Sequence, residues 1–555
     1  MKCPQQPFQS LIVVLLALTF FSSAQNLAEG RLAQTDRLEN QTIESIQQLP
    51  CVKPALVGSD ASPIVKIRVV TSGSASPIAL TKVVAGFETE TLNQASTFQI
   101  HYSQHSQFDP KTCEVFSKRS DRQPKESSVF QGRQKLAEGE NFFWLSCKLN
   151  SVESVDLDGR LSGKIEQLEF SDGRSEFLNA KGAQRIGLAF RQSGDDNVNT
   201  FRIPGLVTTN SGSLIAVYDI RWDNSRDLPG NIDVGMSRST DGGKTWGPMR
   251  TIMDMGNDPN FRGEGIGDPC ILVDRNTGTI WVSAVWSHGN RGWWGSGPGL
   301  TPDQTGQWMM VKSDDDGRTW SEPINNTMQI KNPDWCFLLQ GPGKGICMSD
   351  GTLVFPAQYQ DPPNSEKRNV HRLPHSTIVY SRDHGNTWSI GTGAFDDTTE
   401  SQVIELEDGR LMLNCRYNRT KMRAVLTSDD LGQTWHTHES HLTQLTEPGA
   451  CMGSLIHLGR ELAWRGLNGS YRNQPILFSN PNSLQAREKI TIKASQDMGK
   501  SWPDPNQVLL DDGIGRGYSC MTVIDEQTIG ILYEGSQSDL TFQRIKLADL
   551  NLTKD

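Results

Sequence analysis

Ser239-Thr240-Asp241-Gly242-Gly243-Lys244-Thr245-Trp246 returns along the chain as Ser313–Trp320 (SDDDGRTW), Ser381–Trp388 (SRDHGNTW), Ser428–Trp435 (SDDLGQTW) and Ser495–Trp502 (SQDMGKSW). Five matches to S-x-D-x-G-x-[TS]-W are not chance, and a repeat on this scale decides the architecture before any single strand is assigned. Strand-like runs such as 233–238 and 377–380 lead into the boxes, so each box is expected on a hairpin turn. The Asp carboxylate accepts backbone N–H bonds inside the turn, the Gly supplies a positive φ and the Trp packs back onto the strands. The closing tryptophans are 74, 68, 47 and 67 residues apart, consistent with one four-stranded blade per repeat. About 360 residues at about 60 per blade give an all-β, six-bladed β-propeller over 187–550, with one blade lacking a box and a central funnel. The acidic boxes need no calcium, because turn chemistry accounts for the same positions.

The rest of the 555 residues read differently. Only Trp144 of the 14 tryptophans precedes residue 200, so the chain has at least two parts. Between 56 and 180, short alternating runs separated by turn residues predict an N-terminal β-sandwich. Residues 171–194 are expected to link it to the propeller. Residues 25–55 form a polar leader or linker, with helix-compatible stretches such as 32–48. Residues 1–24 have the pattern of a cleaved signal peptide: Lys2, an apolar run from Leu11 to Phe21 and small residues ending at Ala24. That run is too short to span a bilayer, which takes roughly 20 residues. The mature chain is expected to be secreted or periplasmic.

Composition excludes several function classes. A net charge of −10, from 54 Lys+Arg against 64 Asp+Glu, argues against a general nucleic-acid binder. An anionic ligand must then be met by locally placed arginines. The ten cysteines are scattered, with no CxxC pair and no His spacing suited to zinc; buried thiols are favoured, with at most one bridge such as Cys113 to Cys147. No HExxH, P-loop or GxGxxG after a strand occurs, so no metal and no organic cofactor is expected.

The five repeats are Asp boxes, and with Phe201-Arg202-Ile203-Pro204 ahead of them the chain resembles the secreted bacterial exo-sialidases, or neuraminidases. The resemblance covers about 190–550, and the sandwich is similar to the carbohydrate-binding-like domain that precedes some of these enzymes. It implies a retaining exo-α-sialidase, a glycoside hydrolase that releases terminal sialic acid from glycoproteins, glycolipids or free glycans. A sialic acid carries a carboxylate on its anomeric carbon, which a planar guanidinium can grip bidentately. The implied arginine triad is Arg202, Arg416 and Arg487, with Arg472 a competitor for the third place. Because that carboxylate repels a carboxylate nucleophile, sialidases use a tyrosine. Tyr518, between Gly517 and Ser519, matches it, and Glu400 matches its base, ahead of its neighbours Glu405 and Glu407. Asp227 matches the acid/base, with Asp219 and Asp223 as alternatives by sequence. An Asp titrates near 4, so its surroundings must raise it if it is to act as an acid near neutrality. Arg221 matches a further substrate-side arginine, and Glu534 the acid that holds the first arginine. Asp268 is a candidate pocket residue. Trp286, Trp293 and Trp294, in and beside the Gly-rich stretch 289–299, read as a sugar-stacking platform or as blade packing.

Two further readings remain open. A trans-sialidase differs only in whether water or a sugar hydroxyl resolves the intermediate. A non-catalytic sialoglycan-binding propeller would use the arginines but need no acid, base or nucleophile.

Overall fold

The computed structural model describes residues 39–117, 126–256, 264–362, 372–467, 471 and 473–553. The expected signal peptide and the first part of the leader lie outside the described residues. Two sheets form the N-terminal sandwich. One runs, in spatial order, Thr42–Leu49, Ser62–Ser72, Gly139–Leu149, Ala95–Ser103 and Glu114–Val115. The other runs Ser127–Lys135, Ala79–Phe87, Arg160–Phe170 and Ser175–Arg191. Ile67, Phe143 and Leu145 from the first pack with Leu80, Val83 and Leu168 from the second in one core.

Thr42–Leu49 corrects the helix-compatible reading of 32–48. Its Thr42, Ile43 and Ile46 are β-branched, and it pairs antiparallel with Ser62–Ser72, so tertiary pairing overrides local helix preference. The supposed link 171–194 is largely one strand of 17 residues. Residues 175–185 of it pair with Arg160–Phe170 in the sandwich, while Leu188 and Ala189 pair with Phe542 and Thr541 of the propeller.

Six sheets follow around a ring. Their innermost strands are Thr200–Thr208, Gly265–Val273, Phe337–Gln340, Thr398–Glu405, Ser454–His457 and Ser519–Asp525. Thr200–Thr208 lies against both Gly265–Val273 and Ser519–Asp525, which closes the circle. The sixth blade takes Ser519–Asp525, Thr528–Tyr533 and Leu540–Lys546 from the C-terminal end and its outer strand from Ser175–Arg191. A ring closed this way leaves only short, protected strand edges.

Each box joins the third strand of a blade to its outer strand, and all five share one geometry. The Ser hydroxyl donates to the Asp carboxylate at 2.6–2.9 Å and accepts the Gly N–H at 2.8–2.9 Å. The same Asp accepts the backbone N–H and the hydroxyl of the Thr or Ser before the Trp. At Gly243, φ is +85° and a Cβ would sit 2.4 Å from the Phe542 ring, so no other residue fits. The sixth blade has no box for a topological reason: its outer strand arrives from the N-terminal side, and no turn connects it to Leu540–Lys546.

All nine described cysteines are free thiols, so Cys113 and Cys147 are not bridged.

Ser239→Ala leaves the buried Gly243 N–H without its acceptor, which should cost about 1–3 kcal/mol and lower the melting temperature in calorimetry. The hydrogen bonds from Thr319 depress the Asp315 carboxyl to about 2. Its stabilising contribution is therefore full above the unfolded value of about 4 and lost as pH falls toward 2. Asp315→Asn should flatten the acid limb of a stability–pH curve in that window.

Candidate active site

The funnel-facing residues come from strand ends and loops on one side of the ring. Arg202 is on the inner strand of blade one and Asp227 in the loop after that blade's second strand. Asp268 is on the inner strand of blade two, Glu400 and Arg416 on the first two strands of blade four. Arg487 immediately precedes the third strand of blade five and Tyr518 the inner strand of blade six. All seven line one cavity. Glu400 and Glu405 sit at opposite ends of one strand, about 17 Å apart at 3.3 Å per residue. Glu405, the rival to Glu400, is buried and accepts the Ser349 amide at 2.9 Å, away from the funnel.

At the centre, the Tyr518 hydroxyl lies 2.5 and 2.6 Å from the two carboxylate oxygens of Glu400. Arg416 Nη1 donates to that hydroxyl at 3.1 Å and pairs with Glu400 at 2.9 Å. Burial, then the Glu400 charge, pushes the phenol well above its ordinary value, while Arg416, Arg487 and Arg202 pull the other way. The proton thus rests on Tyr518 with its acceptor already in place. Arg202 and Arg487 place their guanidinium carbons 5.2 and 5.4 Å from the ring centroid.

Glu534 organises this cluster from behind. Its carboxylate accepts Arg202 Nε at 2.9 Å and Nη2 at 3.1 Å, the Ile203 amide at 3.0 Å and the Tyr518 amide at 3.2 Å. Burial alone would raise this carboxyl; Arg202 and the two amides outweigh it and hold it low. Arg202 Nη1 is left pointing to the Asp227 side, 3.4 Å from that carboxylate. Arg487 is held by the carbonyls of Arg516 and Ala450. Gly517, at φ +89°, lets the chain pass this guanidinium: a Cβ there would be 2.8 Å from Pro481 and 3.1 Å from Arg487 Cβ.

Asp227 differs from the sequence expectation. Its side chain is 75% exposed, and burial would raise its carboxyl, but Arg221 and then Arg202 more than compensate, so it lies below the usual carboxylate range without a ligand. Arg221 also needs correction as a substrate-side residue. Its side chain is 1% exposed, grips Asp219 through Nε and Nη2 at 3.0 and 2.8 Å, and donates to Asp227 at 2.7 Å. It holds the loop that carries Asp227 and does not line the cavity. Asp219 has its oxygens on Arg221 and the Asp268 amide, so it cannot serve as the acid. Asp268 adopts φ +57° and lines the funnel. Burial, then Asp219 and Asp227, pushes its carboxyl well above the usual range, which favours an O–H donor facing the ligand. Arg472, the competitor for Arg487, lies outside the described residues.

Trp293 and Trp294 line the cavity, and Trp294 is 80% exposed. Trp286 does not; it packs in the core between blades one and two, its indole N–H on Glu264 at 3.0 Å. Sequence reasoning missed an apolar wall made of Leu228, Val285, Phe337 and Leu339. Each reads locally as an ordinary strand or loop residue, and only the ring brings blades one to three together.

Residues 212–531 match the BNR repeat-like domain and residues 42–174 the N-terminal domain of BNR-repeat neuraminidase. The chain belongs to the BNR-repeat neuraminidase family. A sialidase of Bacteroides fragilis is 46% identical over 439 residues, 77% of this chain and 77% of its own. A Paraclostridium sordellii sialidase is 33% identical over 61% of this chain and 82% of its own. Among solved structures, the Hadza microbial sialidase Hz136 superposes with a TM-score of 0.80 at 41% identity, covering 91% of this chain and 99% of that one. As a neuraminidase-family fold, the chain carries its N-terminal domain built into the sixth blade and not strung ahead of it.

Truncating Glu534 to Ala strands the buried Arg202 guanidinium and should cost about 3–5 kcal/mol. Glu534→Gln, which keeps an acceptor for the Ile203 amide, should cost less. Denaturant unfolding of both variants measures the difference: equal losses would mean that the charge pair alone carries the effect and the amide acceptor contributes nothing, whereas no loss in Glu534→Gln would mean that the charge pair is not what holds the site.

Proposed function

We propose that the chain is an exo-α-sialidase that hydrolyses terminal sialic acids from glycoconjugates with retention. The observation that carries this is the Tyr518–Glu400–Arg416 contact set inside a cavity lined by three arginines. Arg202, Arg416 and Arg487 receive the sugar carboxylate. The apolar wall suits the N-acyl group, the one apolar substituent on the common sialic acids. Glu400 accepts the phenolic proton as Tyr518 oxygen bonds to the anomeric carbon. Asp227 delivers a proton to the leaving glycosidic oxygen as that bond breaks. In the second step Asp227 takes a proton from water, the water oxygen bonds to the anomeric carbon, and the phenolate leaves and recovers its proton from Glu400. A phenol is neutral as it approaches a carbon that bears a carboxylate, where a carboxylate nucleophile would be repelled.

The low resting position of Asp227 fits this scheme through ligand linkage. A bound carboxylate takes over Arg202 and adds a negative charge beside Asp227, and both effects raise its affinity for a proton. The acid is thus made by the substrate. Export remains part of the proposal; its support is the pattern of residues 1–24, and N-terminal sequencing of exported protein tests cleavage after Ala24.

Tyr518→Phe should lower kcat on a fluorogenic sialoside by more than about a hundredfold with the fold intact, and NMR of the first-formed anomer should show the α form. Full activity in Tyr518→Phe would remove the nucleophile assignment. Because ligand raises the Asp227 pKa, binding of a 2,3-dehydro sialic acid should tighten as pH falls from about 6 toward about 4. Calorimetric titration of Asp227→Asn should show that slope reduced.

A further inference from the structure

A second groove lies between the sandwich and the sixth blade, on the other side of the 515–517 loop from the funnel. Its volume is about 420 Å³, within the roughly 300–1,000 Å³ of small-ligand sites. Lys111 and Ser193 reach it from the sandwich side, Ile514, Arg516, Gln537 and Asp539 from the propeller. Its lining is hydrogen-bonded to residues that carry or flank the funnel arginines. The Arg516 carbonyl accepts Arg487 Nη1 at 2.8 Å, and Asp539 accepts the Phe201 amide, next to Arg202, at 3.0 Å. The floor is fixed across the domain boundary. Lys53 Nζ donates to Ser536 at 2.7 Å, Gln537 Nε2 to the Pro54 carbonyl at 2.7 Å, and Val52 and Asp512 exchange two bonds at 2.7 and 2.8 Å.

Arg516 is the anomaly. Arg202, Arg221 and Arg416 each pair with a carboxylate, and Arg487 sits on two carbonyls. The half-buried Arg516 guanidinium has no hydrogen-bond or ion-pair partner among the described residues, and neither has the Lys111 ammonium. Burial and the nearby Arg202 charge both disfavour the Arg516 cation, with Glu534 and Asp539 opposing them from beyond ion-pair reach. A partly desolvated cation among other cations is stabilised by an anion.

We propose that this groove receives an anionic segment of the glycan whose terminal sialic acid occupies the funnel, with a sugar carboxylate or a sulfate ester set between Arg516 and Lys111. The inference rests on the sialidase reading and extends it to the leaving group. A planar guanidinium suits either anion bidentately, and the exposed Ile514 offers apolar surface for the sugar ring beside it.

The test uses the full chain on three substrates. Sialyllactose has a neutral aglycone, an α2,8-disialyl lactose adds a carboxylate, and a sulfated sialyl-N-acetyllactosamine adds a sulfate ester. R516Q should lower kcat/KM for the acidic substrates relative to sialyllactose by about tenfold, mainly through KM, the size of one charge-assisted contact. K111Q, which touches nothing in the funnel, should lower the same ratio by about two- to threefold and leave sialyllactose turnover unchanged. Added salt should narrow the wild-type preference. A loss confined to one acidic arm supports the groove and identifies its anion. If wild type fails on all three substrates, the sialidase reading itself falls. If wild type cleaves them and neither variant changes the ratio, or if R516Q loses rate equally on all three and K111Q changes nothing, the groove assignment is overturned.

Discussion

The carboxylate of Glu534 holds the active side of the molecule together. Four donors converge on it from two blades: two from Arg202, one from the Ile203 amide and one from the Tyr518 amide. The two blades are the first and the last of the ring, so the interaction that orients Arg202 and Tyr518 also fastens the seam where the chain closes. Leu206 and Thr208 continue the seam below it, on Cys520 and on Thr522 and Val523. A buried carboxylate is costly unless its charge is matched, and here a bidentate guanidinium matches it. Loss of geometry at the seam and loss of geometry at the site are therefore one event.

From that anchor outward, the funnel is built as alternating charge. Arg202 has Glu534 behind it and Asp227 in front; Arg416 has Glu400; Arg221 has Asp219 on one side and Asp227 on the other. An acidic protein with a net charge of −10 can in this way keep several arginines in fixed rotamers without a broadly basic surface. An incoming carboxylate then has to displace only the most exposed partner, Asp227, from Arg202. Displacement changes the proton affinity of Asp227, the group proposed to protonate the leaving oxygen. In the proposed mechanism, recognition of the sugar acid and preparation of the general acid follow from one exchange of partners.

The part of this that was legible in the sequence is the part governed by local chemistry. The boxes specify their own turns through Ser, Asp, Gly and Thr within eight residues, so five repeats could be read as blades without any tertiary information. Arg202, Glu400, Arg416, Arg487 and Tyr518 could be placed by the motifs around them, and the structure brings them to one cavity. What was not legible depends on direction or on distant pairing. Arg221 sits at a strand end two residues from Asp219, and only the pairing of its guanidinium shows that it faces inward. Thr42–Leu49 reads as helix or strand until its partner strand is known. The apolar wall from Leu228 to Leu339 is dispersed over more than a hundred residues with no shared spacing.

The strand Ser175–Arg191 determines what kind of two-domain protein this is. A domain joined by a flexible linker can reorient at little cost, but a domain that shares a continuous strand with its neighbour cannot move without breaking a sheet. Here the same strand is an edge of the sandwich and the outer strand of the closing blade, and one hydrophobic core runs across it, from Ile67 and Leu145 through Phe190 to Phe201 and Phe542. The sandwich is thus part of what closes the propeller. Surfaces formed between the two, including the groove beside Arg516, are as fixed as the funnel itself. The backbone that carries Arg516 is tied to Arg487 through its carbonyl, so the placing of this cation at the groove is a property of the fold.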